Sequence, residues 1–269
     1  PVYEAGIALL PPPAEDLDAR VEADALAVIE AGGASSPALL EAAARVDAAS
    51  DELRQYVLNQ ARRILARGAI PAVLGGDHAS PLGLLEALGE TGSFGVLHVD
   101  AHADLRVAYE GFTFSHASIF HNALRRVPAI ETLVQVGLRD VGTAELAELE
   151  HNPRIYGWFD PELAWERAHG TPWIEQVWRI LDPLPDRVYV SFDIDGLDPA
   201  LCPGTGTPVP GGLSWHQACV LLRALGQSGR QIIGFDLCEV GPTQQDAMVG
   251  ARLLYKLFGW AVASGPARG

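Results

Sequence analysis

The segment FGVLHVDAHAD, residues 94–104, places reactive side chains directly after an apolar run. Its first half is rich in β-branched and aromatic residues, which favours a buried strand. Asp100, His102 and Asp104 then occupy alternate positions, and alternate side chains of an extended segment leave the backbone on the same side. Two carboxylates and an imidazole would share one space, where burial is costly unless a cation compensates their charge. A polar turn is the alternative interpretation, but the ligand types and spacing favour a divalent metal ion.

Two further segments end in the same way. VLGGDH, residues 73–78, runs from an apolar strand through two glycines to His78. VYVSFDIDGLDP, residues 188–199, is a third apolar strand, and its Asp193 and Asp195 lie on one face. Because ligands gather outside the carboxyl ends of the strands in open α/β sheets, three such strand ends indicate one common site.

In this order, GGDH, DAHAD and SFDIDGLDP resemble the ureohydrolase family of arginases, agmatinases and their relatives. PGTGTPVPGGLSW and FDLCEVGP also match the family's pattern, so the resemblance extends over residues 75–242. The segments AYEGF and SHAS resemble those of an agmatinase-like branch that includes hydrolases of free guanidine. The resemblance implies a two-manganese site with the ligands His78, Asp100, His102, Asp104, Asp193 and Asp195.

The donor set itself restricts the choice of metal. Mixed imidazole and carboxylate ligands suit Mn, Zn, Ni or Fe better than Mg or Ca. Six ligands exceed what one ion with a reactive water needs, whereas two ions about 3.5–4 Å apart would use them all. The resemblance implies Mn²⁺, and Ni²⁺ stays open.

The resemblance also implies the catalytic residues. Glu239 matches the family position beside the substrate's guanidinium, and its alternative role is that of a structural carboxylate at a strand end. His116 is the candidate for passing a proton to the departing amine, because an imidazole titrates near neutral pH. The family has Gly after this histidine and this chain has Ala117, so His121, one helical turn later, is the substitute. We also place Asp104 among the catalytic residues.

Two polar residues beside the predicted ligands are expected to support the site. His98 lies within the strand, so we expect a core residue or a support for the ligands. Asp77 precedes His78 and is expected to fix its ring.

The segment after the DAHAD motif bears on the substrate. Arginases carry a polar Ser/Asn-rich loop there, whereas residues 105–116 read LRVAYEGFTFSH, with Tyr109, Phe112 and Phe114. Such a loop would enclose a small or apolar-tailed guanidine better than a zwitterion, unless the aromatics only pack the loop onto the sheet. Arg106 would favour a guanidino acid if it met a distant carboxylate. We expect agmatine or guanidine to be preferred to L-arginine.

The predicted function is therefore a binuclear-metal hydrolase that cleaves a guanidino C–N bond and releases urea. Hydrolysis of a formimino group or deamidation at the same metals is the alternative among enzymes. A catalytically silent, metal-binding family member is the alternative of another class. The resemblance further implies a homo-oligomer, a trimer or a hexamer.

Composition narrows the class of protein. The 269 residues are 48% hydrophobic and 20% charged with a net charge of −15, ordinary for one α/β domain, which we assign to residues 1–269. The acidity argues against nucleic-acid and membrane partners and is compatible with a cationic substrate. Three cysteines without paired spacing favour a reducing cytoplasm over a disulfide framework.

Strands are predicted at residues 70–74, 94–99, 133–137, 155–158, 188–194 and 232–238, and a further short one at 3–10. Helices are predicted at residues 14–31, 36–45, 81–88, 119–124, 145–150, 173–181, 214–225 and 245–262, with another that Ser50 caps. Alternation of the two predicts a three-layer α/β/α fold with a mostly parallel sheet.

Two expectations concern particular segments of this fold. The helix at residues 173–181 should anchor the core with Trp173 and Trp178. The family usually opens with a strand and a Gly-rich loop that this chain does not match, so we expect a leading segment to be absent.

Overall fold

The computed structural model describes residues 2–13 and 17–265, and a six-stranded sheet forms its centre. The strands are β1 Ala72–Leu74, β2 Phe94–Val99, β3 Ile130–Leu138, β4 Ile155–Phe159, β5 Arg187–Phe192 and β6 Gln231–Leu237. The helices are α1 Leu17–Glu30, α2 Pro37–Leu65, α3 Leu82–Gly89, α4 Ile119–Arg126, α5 Thr143–His151, α6 Asp160–Ala168, α7 Trp173–Leu181, α8 Trp215–Gln227 and α9 Gln244–Ser264.

The sheet is parallel throughout, with the strand order β1-β6-β5-β2-β3-β4. From β2 the chain continues outward to β3 and β4, whereas from β5 it continues to β6 on the other side. The neighbours β2 and β5 therefore form a point at which the strand order reverses. The crevice outside the carboxyl ends at such a point is where open α/β sheets bind ligands.

Helices cover both faces of the sheet, and the alternation of side chains along β2 shows how. Leu97 and Val99 face a core that α7, α8 and α9 complete. Phe94 and Val96 face the opposite core, which α2, α3 and α4 complete. The predicted three-layer α/β/α architecture is confirmed.

The helices differ from the prediction in two places. Pro37–Leu65 form one helix, α2, with Ser36 as its N-cap, instead of a short helix and a second one capped by Ser50. The stretch between the two predicted helices contains neither Gly nor Pro, so nothing in it breaks the helix. Helix α6 was not predicted, although Pro161 lies in its first turn, where proline is tolerated.

The predicted strand at residues 3–10 is also wrong. Val2–Ala5 form a 3₁₀ turn, and the residues up to 10 adopt no regular structure. Leu9 is 87% exposed, so a strand here would gain little from packing of this side chain. The predicted helix at residues 14–31 is found as α1, and residues 14–16 lie outside the described residues.

Only one of the two tryptophans on α7 anchors the core. Trp173 packs against the core under α7–α9, and its Nε1 donates a hydrogen bond to the Gln217 carbonyl oxygen at 3.0 Å. Trp178 is 47% exposed, so its expected core role is wrong. The inward face of α7 carries Val177, Ile180 and Leu181 instead.

Two features of the chain bear on its surroundings. All three cysteines are free thiols. Among the described residues, no helix combines the length and the apolar character that crossing a membrane requires.

The contact between α2 and α3 yields a test of the packing. A Cβ at Gly83 of α3 would lie 2.2 Å from the Arg54 carbonyl oxygen and 2.7 Å from the Leu58 nitrogen of α2. Both are backbone atoms that cannot turn aside, so Gly83→Ala should lower the free energy of unfolding by about 1–3 kcal/mol. The urea midpoint measures this change.

Gly259→Ala in α9 is the matched control. Its Cβ would meet only a Val2 methyl group, at 3.3 Å, and Ala is the better helix former by about 1 kcal/mol. Equal midpoints for the two variants would contradict the close approach of α2 and α3.

Candidate metal centre

The six predicted ligand side chains lie together at the carboxyl edge of the sheet. His78 follows β1, Asp100 follows β2 directly, and Asp193 follows β5 directly. Because these strands are parallel, their carboxyl ends open on the same side. The cluster is buried: His78 is fully inaccessible to solvent, and Asp100, Asp104, Asp193 and Asp195 are each at most 4% exposed.

The side chains form two groups. In the inner group, Nδ1 of His78 lies 3.0 Å from Oδ2 of Asp104 and 3.4 Å from Oδ2 of Asp193. In the outer group, Nδ1 of His102 lies 3.1 Å from Oδ2 of Asp195. The His102 side chain is 24% exposed, so the outer group is the one that reaches the surface.

Asp100 belongs to both groups. Its Oδ2 lies 3.1 Å from Nδ1 of His78, and its Oδ1 lies 3.3 Å from Nδ1 of His102. One carboxylate thus connects the two imidazoles, with one oxygen directed to each group.

The donor set fits divalent metal ions. Donor atoms of His78, Asp100 and Asp104 lie within 4.8 Å of one another, and so do those of Asp100, His102 and Asp195. Nitrogen and carboxylate oxygen in this mixture are the ligands of Mn, Zn, Ni and Fe. The two groups with a shared carboxylate offer two cation positions.

The electrostatics of the cluster show a deficit of positive charge. Burial and the Asp100 charge raise the pKa of Asp104 to about 8, and burial with Asp100 and Asp195 raises the pKa of Asp193 well above its usual range. Burial alone would lower the pKa of His102, but Asp100 and Asp195 raise it to about 11. Protons are therefore retained where cations would otherwise neutralise the carboxylates.

A polar chain behind the inner group fixes the His78 ring. Nε2 of His78 lies 2.9 Å from Oγ of Ser191, which donates a hydrogen bond to Oδ2 of Asp236 at 2.7 Å. The expectation that Asp77 holds the ring is wrong. Its Oδ1 accepts hydrogen bonds from the backbone of Ala79 and the hydroxyl of Ser80.

His98 lies behind the shared carboxylate. It is fully buried, and its Nε2 lies 2.8 Å from Oδ2 of Asp100. Its ring packs on Phe120 with 4.3 Å between the ring centroids. His98 therefore supports a predicted ligand from within the core.

A cavity of about 130 Å³ opens onto the cluster. Glu239 lines it, and its Oε1 accepts a hydrogen bond from the His78 nitrogen at 2.9 Å. Burial, and after it the Asp77 charge, raises the pKa of Glu239 to about 6, so this carboxyl is mostly ionised at pH 7. The residues around the cavity are His102, Asp104, His116, Asp193, Gly206, Thr207 and Glu239.

Two residues of this cavity have strained backbones. Asp104 has a φ of +53° and Glu239 a φ of +60°, in the left-handed region that L-residues avoid at a cost of about 1–3 kcal/mol each. Both conformations direct a carboxylate into the site. Strain of this kind gathers at functional sites because the surrounding structure maintains it.

The two candidate histidines for proton transfer occupy different positions. His116 lines the cavity from the 3₁₀ turn His116–Ser118, which Ser115 caps. Burial lowers the pKa of His116, so its ring is neutral at pH 7. His121 lies on α4 and does not line the cavity.

Of the three aromatic residues in the loop of residues 105–116, only Tyr109 reaches the site. The edge of the Tyr109 ring contacts the His116 ring, with 5.4 Å between centroids. Phe112 packs with Val28 and Ala42 of the N-terminal helices, and Phe114 packs against the core under α2–α4. The interpretation that the aromatics pack the loop is therefore correct for both phenylalanines.

Arg106 is engaged with neighbours in the same loop region. Its guanidinium lies 3.4 Å from the Glu145 carboxylate and over the face of the Tyr109 ring. It thus forms part of the support for Tyr109.

Thr207 and Arg139 are not among the predicted site residues. Oγ1 of Thr207 donates a hydrogen bond to Oδ2 of Asp195 at 3.2 Å, and the GTGTP wording around it was the available signal. Arg139 follows β3 directly, and its guanidinium donates only to backbone carbonyl oxygens, those of Gly137, Asp195, Leu197 and Val209.

A larger cavity, about 370 Å³, lies between α8 and α9. Its charged lining residues are Arg223 and Lys256, and it contains no carboxylate. The chemistry of the chain therefore concentrates at the smaller cavity.

Comparison with known proteins agrees with this site. The model of the arginase family matches residues 10–259. A guanidinobutyrase of Pseudomonas aeruginosa is 38% identical over 215 residues, 73% of this chain and 62% of that protein. An N(1)-aminopropylagmatine ureohydrolase of Thermus thermophilus is 38% identical over 218 residues, 78% of this chain and 69% of that protein. The chain thus spans less than two thirds of the guanidinobutyrase.

Solved structures share the fold. The agmatine ureohydrolase of Thermoplasma volcanium superposes with a TM-score of 0.65 at 26% identity, covering 80% of this chain and 70% of that one. The arginase of Bacillus cereus gives a TM-score of 0.65 at 28% identity, covering 81% and 79%.

The charge deficit predicts how stability depends on pH in protein freed of cations by a chelator. The pKa of His102 rises from its ordinary 6.5 to about 11 on folding, so the folded state binds the extra proton between these values. The stabilisation is complete below pH 6.5 and is lost as pH rises towards 11. The free energy of unfolding should fall from pH 7 to pH 9, by up to about 1.4 kcal/mol per pH unit for one proton.

Urea unfolding at several pH values measures the slope, and His102→Asn should reduce it. The exposed His151 on α5 provides the control, since His151→Asn should leave the slope unchanged. A slope that is the same in all three proteins would contradict the assignment.

Proposed function

This chain belongs to the arginase family, and we propose that it is a binuclear-metal hydrolase that cleaves a guanidino C–N bond and releases urea. The observation that carries the proposal is one cavity shared by two kinds of side chain. The predicted ligands His102, Asp104 and Asp193 line it together with His116 and Glu239. Ligands for cations and groups for a cationic substrate thus face the same small space.

The proposed ligands divide between two positions. His78, Asp104 and Asp193 would hold one divalent cation, His102 and Asp195 the other, and Asp100 would contact both. Divalent cations held there would supply hydroxide near neutral pH, because metal binding lowers the pKa of water. We propose Mn²⁺ as the metal, with Ni²⁺ to be tested beside it.

Glu239 is the proposed anchor of the substrate. A guanidinium is planar and cationic, so a carboxylate that accepts its N–H groups both orients and neutralises it. Glu239 is fixed for this role, because Oε1 already accepts from the His78 nitrogen and the backbone is held at a positive φ. Its ionisation at pH 7 provides the required charge.

His116 is the proposed proton carrier. The half-buried ring, whose pKa burial lowers, is able to accept a proton and release it to the departing amine nitrogen within the same cavity. The Tyr109 ring supports its orientation. Asp104 lines the same cavity as His116 and is proposed both as a ligand and as a catalytic residue.

The proposed substrates are agmatine or guanidine. Asp140 has a side chain that is 72% exposed, and its Oδ2 lies 3.9 Å from Nε2 of His102. This negative rim suits a distant ammonium and opposes a carboxylate. Arg106, the candidate for a carboxylate partner, is paired with Glu145.

Two further expectations remain proposals: the chain forms a homo-oligomer, a trimer or a hexamer, and it acts in a reducing cytoplasm. Light scattering of the purified protein measures the assembly directly.

His116→Asn tests the proton carrier. The variant should keep its metal content and its urea midpoint but lose turnover by a factor of about 10²–10⁴, the typical contribution of a positioned acid or base. His121→Asn is the matched control and should retain turnover. Normal turnover in His116→Asn with loss in His121→Asn would assign the role to the other histidine.

A substrate panel tests the reaction and the specificity. Urea release from L-arginine, agmatine, guanidinobutyrate and guanidine is measured on one preparation, with Mn²⁺ and Ni²⁺ separately. L-Arginine should give a lower kcat/KM than agmatine or guanidine, because its carboxylate would meet the Asp140 charge. Asp140→Asn should lower kcat/KM for agmatine by up to about fivefold, the worth of an exposed ion pair, and leave guanidine unchanged.

Two results of this panel would contradict the proposal. L-Arginine as the best substrate would refute the specificity. Formamide or ammonia released from a formimino compound, with no urea from any guanidine, would refute the reaction.

A further inference from the structure

Each oxygen of the shared Asp100 carboxylate has one hydrogen-bond partner besides the imidazoles of the predicted ligands His78 and His102. Oδ1 accepts from the backbone nitrogen of His102 at 2.6 Å. Oδ2 lies 2.8 Å from Nε2 of His98. A carboxylate has about two lone-pair directions per oxygen, so each oxygen retains one for the group of ligands that it faces.

The orientation of Gln135 determines which atom of His98 carries the proton. Nε2 of Gln135 lies 2.6 Å from the carbonyl oxygen of Ala103. That oxygen can only accept, so the opposite orientation of the amide would place two oxygens against each other. The amide nitrogen is therefore fixed at this point.

The tautomer of His98 follows from this orientation. The same Gln135 nitrogen lies 2.9 Å from Nδ1 of His98. Since the amide nitrogen can only donate, Nδ1 must accept and the ring proton must be on Nε2, facing Asp100. His98 thus donates to Oδ2, and neither of its nitrogens retains a lone pair for a metal ion.

The Gln135 amide uses its two hydrogens but not its oxygen. Gln135 is fully buried, and its Oε1 has no hydrogen-bond partner among the described residues. A buried acceptor without a partner is unfavourable. Both hydrogens of the amide are nevertheless used, one on the His98 ring and one on the loop that carries the ligands.

We propose that Gln135 and His98 are positioning residues that hold Asp100 as a bridge between two cation positions. The inference rests on the binuclear centre proposed above. Gln135 determines the tautomer of His98. The His98 ring then donates a hydrogen bond to Oδ2 of Asp100, and the backbone nitrogen of His102 donates one to Oδ1.

The hydrogen bonds to the two oxygens of Asp100 differ in origin, and this difference predicts which cation position is weakened when His98 is replaced. The hydrogen bond to Oδ1 comes from the backbone and survives any substitution of His98. Without His98, Asp100 remains a ligand of the outer group, and Oδ2 is free to turn away from His78. The cation of the inner group should therefore be weakened selectively.

Titration of the metal-free protein with Mn²⁺, with free Mn²⁺ measured by electron paramagnetic resonance, tests the inference without an assay of activity. Wild-type protein should bind two cations. His98→Leu should bind one of them within about threefold of the wild-type affinity and the other about 10–100-fold more weakly, the usual effect of losing a partner of a ligand. His98→Gln, whose Nε2 donates at a similar reach, should restore the second cation.

Double variants identify the position that is lost. His98→Leu with His78→Asn should bind the same single cation as His98→Leu alone. His98→Leu with His102→Asn should bind no cation tightly, because each change removes a different position.

Gln135→Leu extends the comparison if His98→Leu does not fold. It leaves the ring proton unassigned, so the inner cation should weaken by about tenfold, the lower end of the range for such partners. Gln176→Leu is the matched control, since Gln176 is equally buried and donates to the Leu163 carbonyl far from the cluster. It should leave both affinities unchanged.

The outcomes separate the two proposals. Two wild-type affinities in His98→Leu, or an equal loss of both cations that His98→Gln does not restore, would overturn the positioning role and leave the binuclear centre intact. Wild-type protein that binds fewer than two cations would overturn the binuclear centre and this inference with it.

Discussion

Mutual repulsion among buried carboxylates is the constraint on which the site depends. Asp100, Asp104, Asp193 and Asp195 occupy one space with almost no access to water. Like charges at such distances strongly oppose ionisation in a medium of low polarity. The raised pKa values of Asp104 and His102 express this opposition. Cations bound at the cluster would relieve it and would thereby stabilise the folded state.

The parallel sheet makes this concentration of charge possible. Strands β2 and β5 deliver their ligands at the ends of strands whose apolar residues lie in the two cores, and the edge strand β1 leads to His78. The cost of the cluster is thus confined to one edge, while packing stabilises the rest. The positive φ angles of Asp104 and Glu239 add a further cost at this edge. The packed structure around them maintains these strained conformations.

The sequence predicted those parts of the site that lie within single segments. Asp100, His102 and Asp104 alternate in one extended stretch, so their spacing alone predicts convergence. The roles of Thr207, Arg139 and Gln135 depend on contacts between segments far apart in the chain, such as Gln135 with Ala103. The exposure of Trp178 was missed for a related reason, because packing against the rest of the fold, rather than local composition, decides it.

Arg139 has a consequence for how this site tolerates evolutionary change. It grips the segment of residues 203–213 through the Val209 carbonyl oxygen, a group that every amino acid supplies. Within that segment, a Cβ at Gly212 would lie 2.8 Å from the Arg139 guanidinium, and one at Gly211 would lie 2.7 Å from Oδ2 of Asp160. Both glycines also adopt positive φ angles, so these two positions are restricted. Exposed side chains of the segment, such as those of Pro208 and Pro210, can change while the backbone stays in register, whereas Thr207 is held by its bond to Asp195. The segment can therefore accept point mutations at its exposed positions without loss of the support beneath it.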